Sequence, residues 1–277
     1  MKRSLFALGL AAIASSSFAY NAQLDGGFSY ADHKNNYTDT DYQFGLKGTF
    51  YFNPVLETEA PLNETAFLGH NSNAYVGYTY NYVENTANNM AASLSEEISA
   101  HHLGGGIEYF VEQFYLNGEI GFGQLEDKYQ LVTPLGRESY SKDSDLTTYR
   151  VLVGYMPLSN LLFAAGMDGF QGDNDKDDNR FAVRAKYVAP LAQGQFINLE
   201  ADGAFGDTDS VTIAADYYFD HAFSFGAAYS IVDDGKDDTD FFSIRSKYFI
   251  NSNFAVGGAV GFGDNVQAVN INATYRF

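Results

Sequence analysis

The sequence predicts an all-β fold: a transmembrane antiparallel β-barrel of about 14 strands, with short turns at one rim and longer acidic loops at the other. Three observations carry this prediction. Val269, Ile271, Ala273, Tyr275 and Phe277 alternate with Asn270, Asn272, Thr274 and Arg276, which makes a strand with one apolar and one polar face. The same alternation recurs along the chain, with no long helical period and no Pro/Ser-rich linker to interrupt it. The connections alternate between short and long, the pattern of a barrel whose rims face two compartments.

At the N-terminus, Lys2 and Arg3 precede an apolar run, Leu5 to Ile13, too short to span a bilayer. Ser17-Phe18-Ala19 then puts small residues where a signal peptidase cuts. Residues 1–19 are an expected signal peptide and residues 20–277 an expected single barrel domain. No later apolar run is long enough for a spanning helix. Cys is absent, so disulfides contribute nothing to this exported chain. A formal charge of -19 argues against nucleic acid as a partner. The 21 Tyr and 24 Phe suit a lipid-facing surface and its interfacial belts.

Strands are expected at about 20–31, 42–52, 73–83, 101–111, 113–124, 147–156, 160–169, 180–189, 195–205, 209–219, 222–232, 240–250, 252–262 and 266–277. Val111-Glu112, Pro157 to Ser159, Pro190 to Gly194, Asp220-His221 and Asn251-Ser252 are short connections. Glu84 to Ala100, Leu125 to Leu146, Phe170 to Asn179 and Asp233 to Thr239 are longer and polar. An even strand count puts both termini on the side of the short turns, the periplasm. In the first long loop Met90, Leu94 and Ile98 recur every four residues, which fits a short helix dipping into the bore; the commoner alternative is a loop packed on the rim. In the second, Pro134-Leu135-Gly136 marks the tip of a hairpin standing above the membrane.

Asn53 to Asn71 breaks the pattern, because a short turn belongs there. It carries Val55, Leu56, Leu62, Phe67 and Leu68, too apolar for a solvated loop. Either it folds into the barrel mouth as a plug or it packs under the rim as a flap. Tyr51-Phe52-Asn53-Pro54-Val55, then Ala60-Pro61-Leu62-Asn63-Glu64-Thr65-Ala66-Phe67-Leu68, then a Tyr-rich strand, resembles the N-terminal signature of the "putative porin" family of proteobacterial outer-membrane proteins. The resemblance implies a monomeric or loosely associated channel of restricted bore that admits water and small solutes.

Placing the apolar face of each strand toward lipid sends Phe44, Leu46, Phe50, Phe52, Val151, Val153, Tyr155, Phe242, Ile244 and Tyr248 outward. The opposite face lines the lumen. Its pore-lining candidates are Lys47, Glu108, Glu119, Arg150, Asp168, Arg184, Lys186, Glu200, Asp202, Asp216, Arg245 and Lys247, with Asp25 and Arg276 on the same face. Two arrangements fit this mixture. Cations and carboxylates could face each other across a constriction and set up a transverse field. They could instead pair with neighbours and neutralise one another.

Asp173-Asn174-Asp175-Lys176-Asp177 begins like an EF-hand loop, but Asp178 stands where Gly belongs and Arg184 where Glu belongs. The spacing supports no firm metal site; a weak external cation site at Asp173, Asp175 and Asp177 competes with a plain solvated charge run. His101 and His102 are adjacent and point to opposite faces of a strand, and no Gly-x-Ser-x-Gly elbow is present, so no catalytic site is expected. The functional expectation is a porin-like outer-membrane channel for passive diffusion of water, ions and small polar solutes, narrow and cation-preferring. The alternative is a non-conducting barrel acting as a surface adhesin or receptor through its loops. No cofactor is implied. Expected partners are outer-membrane lipid and lipopolysaccharide, the barrel-assembly machinery through Phe277, and small solutes or ions. The expected location is the outer membrane of a Gram-negative bacterium, both termini periplasmic.

Overall fold

A computed structural model of the chain describes residues 19–34, 37–88, 92–173, 176–235 and 238–277, the side chain of Lys176 excepted. The expected signal peptide therefore lies, but for Ala19, outside the described residues. Fourteen strands follow in order: β1 (Ala19–His33), β2 (Thr38–Leu56), β3 (Asn73–Asn88), β4 (Ser93–Val111), β5 (Phe114–Thr133), β6 (Gly136–Leu158), β7 (Leu161–Gly172), β8 (Lys176–Pro190), β9 (Phe196–Phe205), β10 (Asp209–Tyr218), β11 (Phe223–Asp233), β12 (Asp238–Asn251), β13 (Phe254–Gly263) and β14 (Val266–Arg276). Each pairs antiparallel with its sequence neighbours, and β1 closes the ring on β14, from Gln23 opposite Arg276 to His33 opposite Val266. Closure leaves no sheet edge unpaired within the apolar band, which is what a spanning sheet requires. The closed antiparallel 14-strand barrel is the fold the alternation predicts.

The apolar face lies outside as expected. Phe44, Phe50, Val151, Val153 and Tyr248 are exposed there. A face this greasy is stable only against hydrocarbon.

The far rim, opposite the termini, differs from expectation in one respect. The long polar loops are largely strand. β3 reaches Asn88 and β4 starts at Ser93, with Val83 opposite Ile98 and Ala87 opposite Leu94. No helix dips into the bore there among the described residues; Met90 lies outside them. A spacing of four fits two helical neighbours, but it is also a multiple of the two-residue strand period, and pairing on both sides decides for the strand. The second loop is the expected hairpin: β5 and β6 pair from Phe114 opposite Tyr155 to Thr133 opposite Gly136, with Leu135 fully exposed at the tip.

The atypical connection is a plug. After Leu56 the chain turns inward through a 3-10 turn (Leu62–Glu64) and one helical turn, α1 (Thr65–Leu68), then returns to β3. Three buried apolar clusters form around it. Phe67 packs against Tyr115, Leu152, Met156, Leu162, Ala164 and Ala182; Val55 joins Tyr20 and Tyr51, with Ala66 beside them; Leu62 joins Phe249 and Ala255. The hydrophobic core of the molecule thus sits inside the bore, at the end carrying both chain termini. Leu62 N–H bonds to the His221 carbonyl (2.8 Å), and the His70 ring nitrogen Nε2 lies 2.8 Å from the Ser159 carbonyl oxygen, which ties the plug to two turns of the rim.

Candidate functional site

Strand register decides which side chains meet in the lumen, because residues opposite one another across a ladder share a face. Asn73, Glu108, Asn117 and Leu152 make one inward row across β3 to β6. Arg184, Asp202 and Thr212 make another across β8 to β10. All twelve pore-lining candidates project to this inner side.

From β6 to β12 the inward charges form two ion-pair clusters, one centred on Asp202 and one on Glu200. Arg150 donates two hydrogen bonds to Asp202 (2.8 and 2.9 Å) and lies 3.9 Å from Asp168, which also pairs with Arg180. Arg184 donates to Asp202 (3.0 Å) and to the Tyr115 hydroxyl (3.1 Å), and lies 3.5 Å from Glu108. Lys186 bridges Glu200 (2.7 Å) and Glu64 of the plug (2.8 Å). Arg245 holds Asp216 with two bonds (2.6 and 2.8 Å) and reaches Glu200 at 4.0 Å. Cations and carboxylates alternate around this wall, so mutual neutralisation describes it better than a transverse field. Most of these side chains are partly solvated, which limits each pair to about 0–1 kcal/mol. The exception is Glu64, 1% exposed, where one oxygen meets Lys186 and the other accepts the Tyr218 hydroxyl at 2.5 Å.

The wall from β13 through β14 and β1 to β5 is built differently. Glycines occupy much of its inner face, and large neighbours lie flat over some of them. Cβ atoms at Gly106, Gly121 and Gly261 would run into Tyr75, His102 and Phe241 respectively. Tyr75 lying over Gly106 donates to Glu119 (2.6 Å), and the Lys47 ammonium sits 4.2 Å from its ring centre. Lys247 lies 5.6 Å from the Phe249 ring centre. Lys47 and Lys247 have no carboxylate within ion-pair distance among the described residues, unlike Arg150, Arg180, Arg184, Lys186 and Arg245.

Between the two walls lies a cavity of about 470 Å³, floored by Asn63, Glu64 and Phe67 of the plug and walled by Lys47, Glu108, Lys186 and Arg245. Of the five plug candidates, Val55 and Leu62 are buried, and Phe67 and Leu68 are half-buried. Leu56 is a correction. It is 65% exposed, because it follows inward Val55 along the strand and the two-residue period turns it away. Among the described residues no group of acidic or histidine side chains is placed to hold a metal ion. Asp173 and Asp177 accept backbone N–H groups of Asp145 and Gly172, and Asp175 lies outside the described residues. Asp178 is buried and caps the N–H groups of Asp207 and Thr208.

Sequence reasoning passed over Glu64, Arg180, Tyr75, Tyr115 and Tyr218 as lumen residues. Arg180 shares the parity of Arg184 and was legible from it. Glu64 is one of three carboxylates in the connection, with Glu57 and Glu59, and nothing in the spacing marks it as the buried one.

The pattern of the family described as "Putative general bacterial porin" matches residues 139–277, half of the chain. The chain belongs to this family. The porin also resembles the Acinetobacter baumannii outer membrane protein Omp33 at 20% identity and a TM-score of 0.64, over 94% of this chain and 100% of that one. The translocator domain of the autotransporter NalP from Neisseria meningitidis aligns at 11% identity and a TM-score of 0.52, over 93% and 88%. At these identities both show the fold alone. No curated protein matches the chain. Family and barrel together make this porin an outer-membrane, porin-like channel rather than an enzyme.

Proposed function

We propose that the porin is a narrow, cation-preferring channel for passive diffusion of water, ions and small polar solutes, oriented with both termini in the periplasm. The observation that carries this reading is the wet, charged bore. An about 470 Å³ cavity occupies it, and the plug restricts one end rather than filling the whole barrel. A fully packed bore is the property of barrels of about 8 strands, and aqueous channels of those with 16–18. A 14-strand barrel with a partial plug falls between and conducts weakly. The net charge of -19 supports cation preference, because an acidic molecule concentrates cations at its mouths. Lipid and lipopolysaccharide contact the outer apolar face in this reading, and Phe277 engages the barrel-assembly machinery. The twelve inward charges serve as the pore lining.

Planar-bilayer recording tests the proposal. Small stepwise currents are expected, with a reversal potential under a KCl gradient displaced toward the potassium equilibrium value. A folded barrel that passes no current overturns the channel reading in favour of a surface adhesin or receptor. A displacement toward chloride overturns cation preference.

A further inference from the structure

The two unpaired lysines frame a recess in the wall. Across β12, β13, β14, β1 and β2 the inner row reads Lys247, Gly257, Asn272, Gly27 and Gly45. One step toward the termini, Thr274, Asp25 and Lys47 form the adjacent row. A Cβ on Gly45 would meet nothing within 4 Å, so the wall there is open. Lys47, Lys247 and Asp25 line a cavity of about 410 Å³, within the roughly 300–1,000 Å³ typical of small-molecule sites.

The electrostatics of this trough differ from those of the ion-paired cations Arg150, Arg180, Arg184, Lys186 and Arg245; Arg276, which also rests on rings, does not line it. Resting an ammonium on an aromatic face consumes none of its three N–H donors. Asp25 is the carboxylate between the lysines, and both of its oxygens are engaged, one by the Thr274 hydroxyl (2.6 Å) and the other by the Gln23 amide (2.8 Å). Among the residues lining the cavity, two ammonium groups against one carboxylate leave a surplus of one positive charge, with no ion pair to consume their donors. Asn272 and Thr79 add polar groups to the same cavity.

We propose that the trough is a binding subsite for a small hydroxylated monocarboxylate, its carboxylate held by Lys47 and Lys247 and its hydroxyls by Asn272 and Thr79. The subsite deepens the channel reading by naming a solute class; its role in transit rests on that reading, whereas binding does not. It coexists with an acidic mouth, because at physiological ionic strength a charge is screened within about 8 Å. The mouth then sets preference among small ions and the trough recognises a solute that has entered.

Gluconate and sorbitol make a matched pair of probes, differing at one terminal carbon by a carboxylate in place of an alcohol. Calorimetric titration of the refolded barrel in detergent is expected to show gluconate binding and no sorbitol binding. Lys47→Gln and Lys247→Gln should each weaken gluconate roughly tenfold, the worth of one charge-assisted hydrogen bond. Lys34→Gln at the far rim should leave binding unchanged. Heat-modifiable gel mobility verifies that each variant is folded. Gluconate that fails to bind, binds the double variant as well as the parent, or binds no better than sorbitol overturns the subsite. Lysine-dependent binding by a barrel that passes no current supports the subsite and overturns the channel reading alone.

Discussion

The two sides of the bore solve the problem of a polar interior in opposite ways. From β6 to β12, the arginines and Lys186 are spent on neighbouring carboxylates, and these pairs are nearly neutral. From β13 round to β5, glycine removes side chains and aromatic rings cover the gaps; Lys47 on this wall and Lys247 at its β12 border rest on rings and have no carboxylate within ion-pair distance among the described residues. The difference teaches that conserving space and conserving charge are separate tasks in one lumen. The plug joins the two sides, since Glu64 is held by the locked wall while Val55 packs with Tyr20 and Tyr51 on the open one.

The largest expected effect comes from cutting the plug away from the locked wall. Glu64→Ala leaves Lys186 without its buried partner and removes the acceptor of the Tyr218 hydroxyl. Breaking a buried pair costs about 3–5 kcal/mol, which shifts the docked-to-released ratio of the plug by roughly a hundred- to several-thousand-fold. Single-channel conductance should rise and the connection near Glu57 should become protease-sensitive; unchanged conductance would mean that apolar packing alone holds the plug.

A glycine pair sharpens the contrast between the walls. A Cβ on Gly166 would collide with the Val151 carbonyl of the neighbouring strand, whereas one on Gly45 meets open space. Gly166→Ala is expected to lower stability to urea by about 1–3 kcal/mol, the usual cost of overpacking. Gly45→Ala should stay within about 0.5 kcal/mol of the parent. Equal losses would erase the distinction between a packed and an open wall.

The smallest effect concerns the network itself. Asp202→Asn keeps the shape but withdraws the charge shared by Arg150 and Arg184. Asp202 is partly solvated, so a loss of about 1 kcal/mol is expected in the same urea series. A loss several times larger would show that the network acts as a cooperative unit.

The barrel and its inner face were legible because the strand period is two and lipid enforces it at every position. The ion pairs were not. Arg150 on β6 meets Asp202 on β9, and Arg245 on β12 reaches Asp216 on β10 over Gly226 on the strand between. Such partners depend on strand tilt and on gaps left by glycine, which alternation does not encode. The segment around Ile98 is ambiguous in sequence because its spacing suits helix and strand alike. The resemblance rests on residues 51–68, whereas the family pattern matches 139–277, which contains most of the locked wall.

The stopper hangs from the ends of β2 and β3 and takes no place in the hydrogen-bonded hoop. Its main-chain tie to the opposite turn is the bond from Leu62 to His221. Swinging it aside would therefore leave the ring of fourteen strands sealed, and passage could be widened or throttled with no danger of the cylinder unzipping.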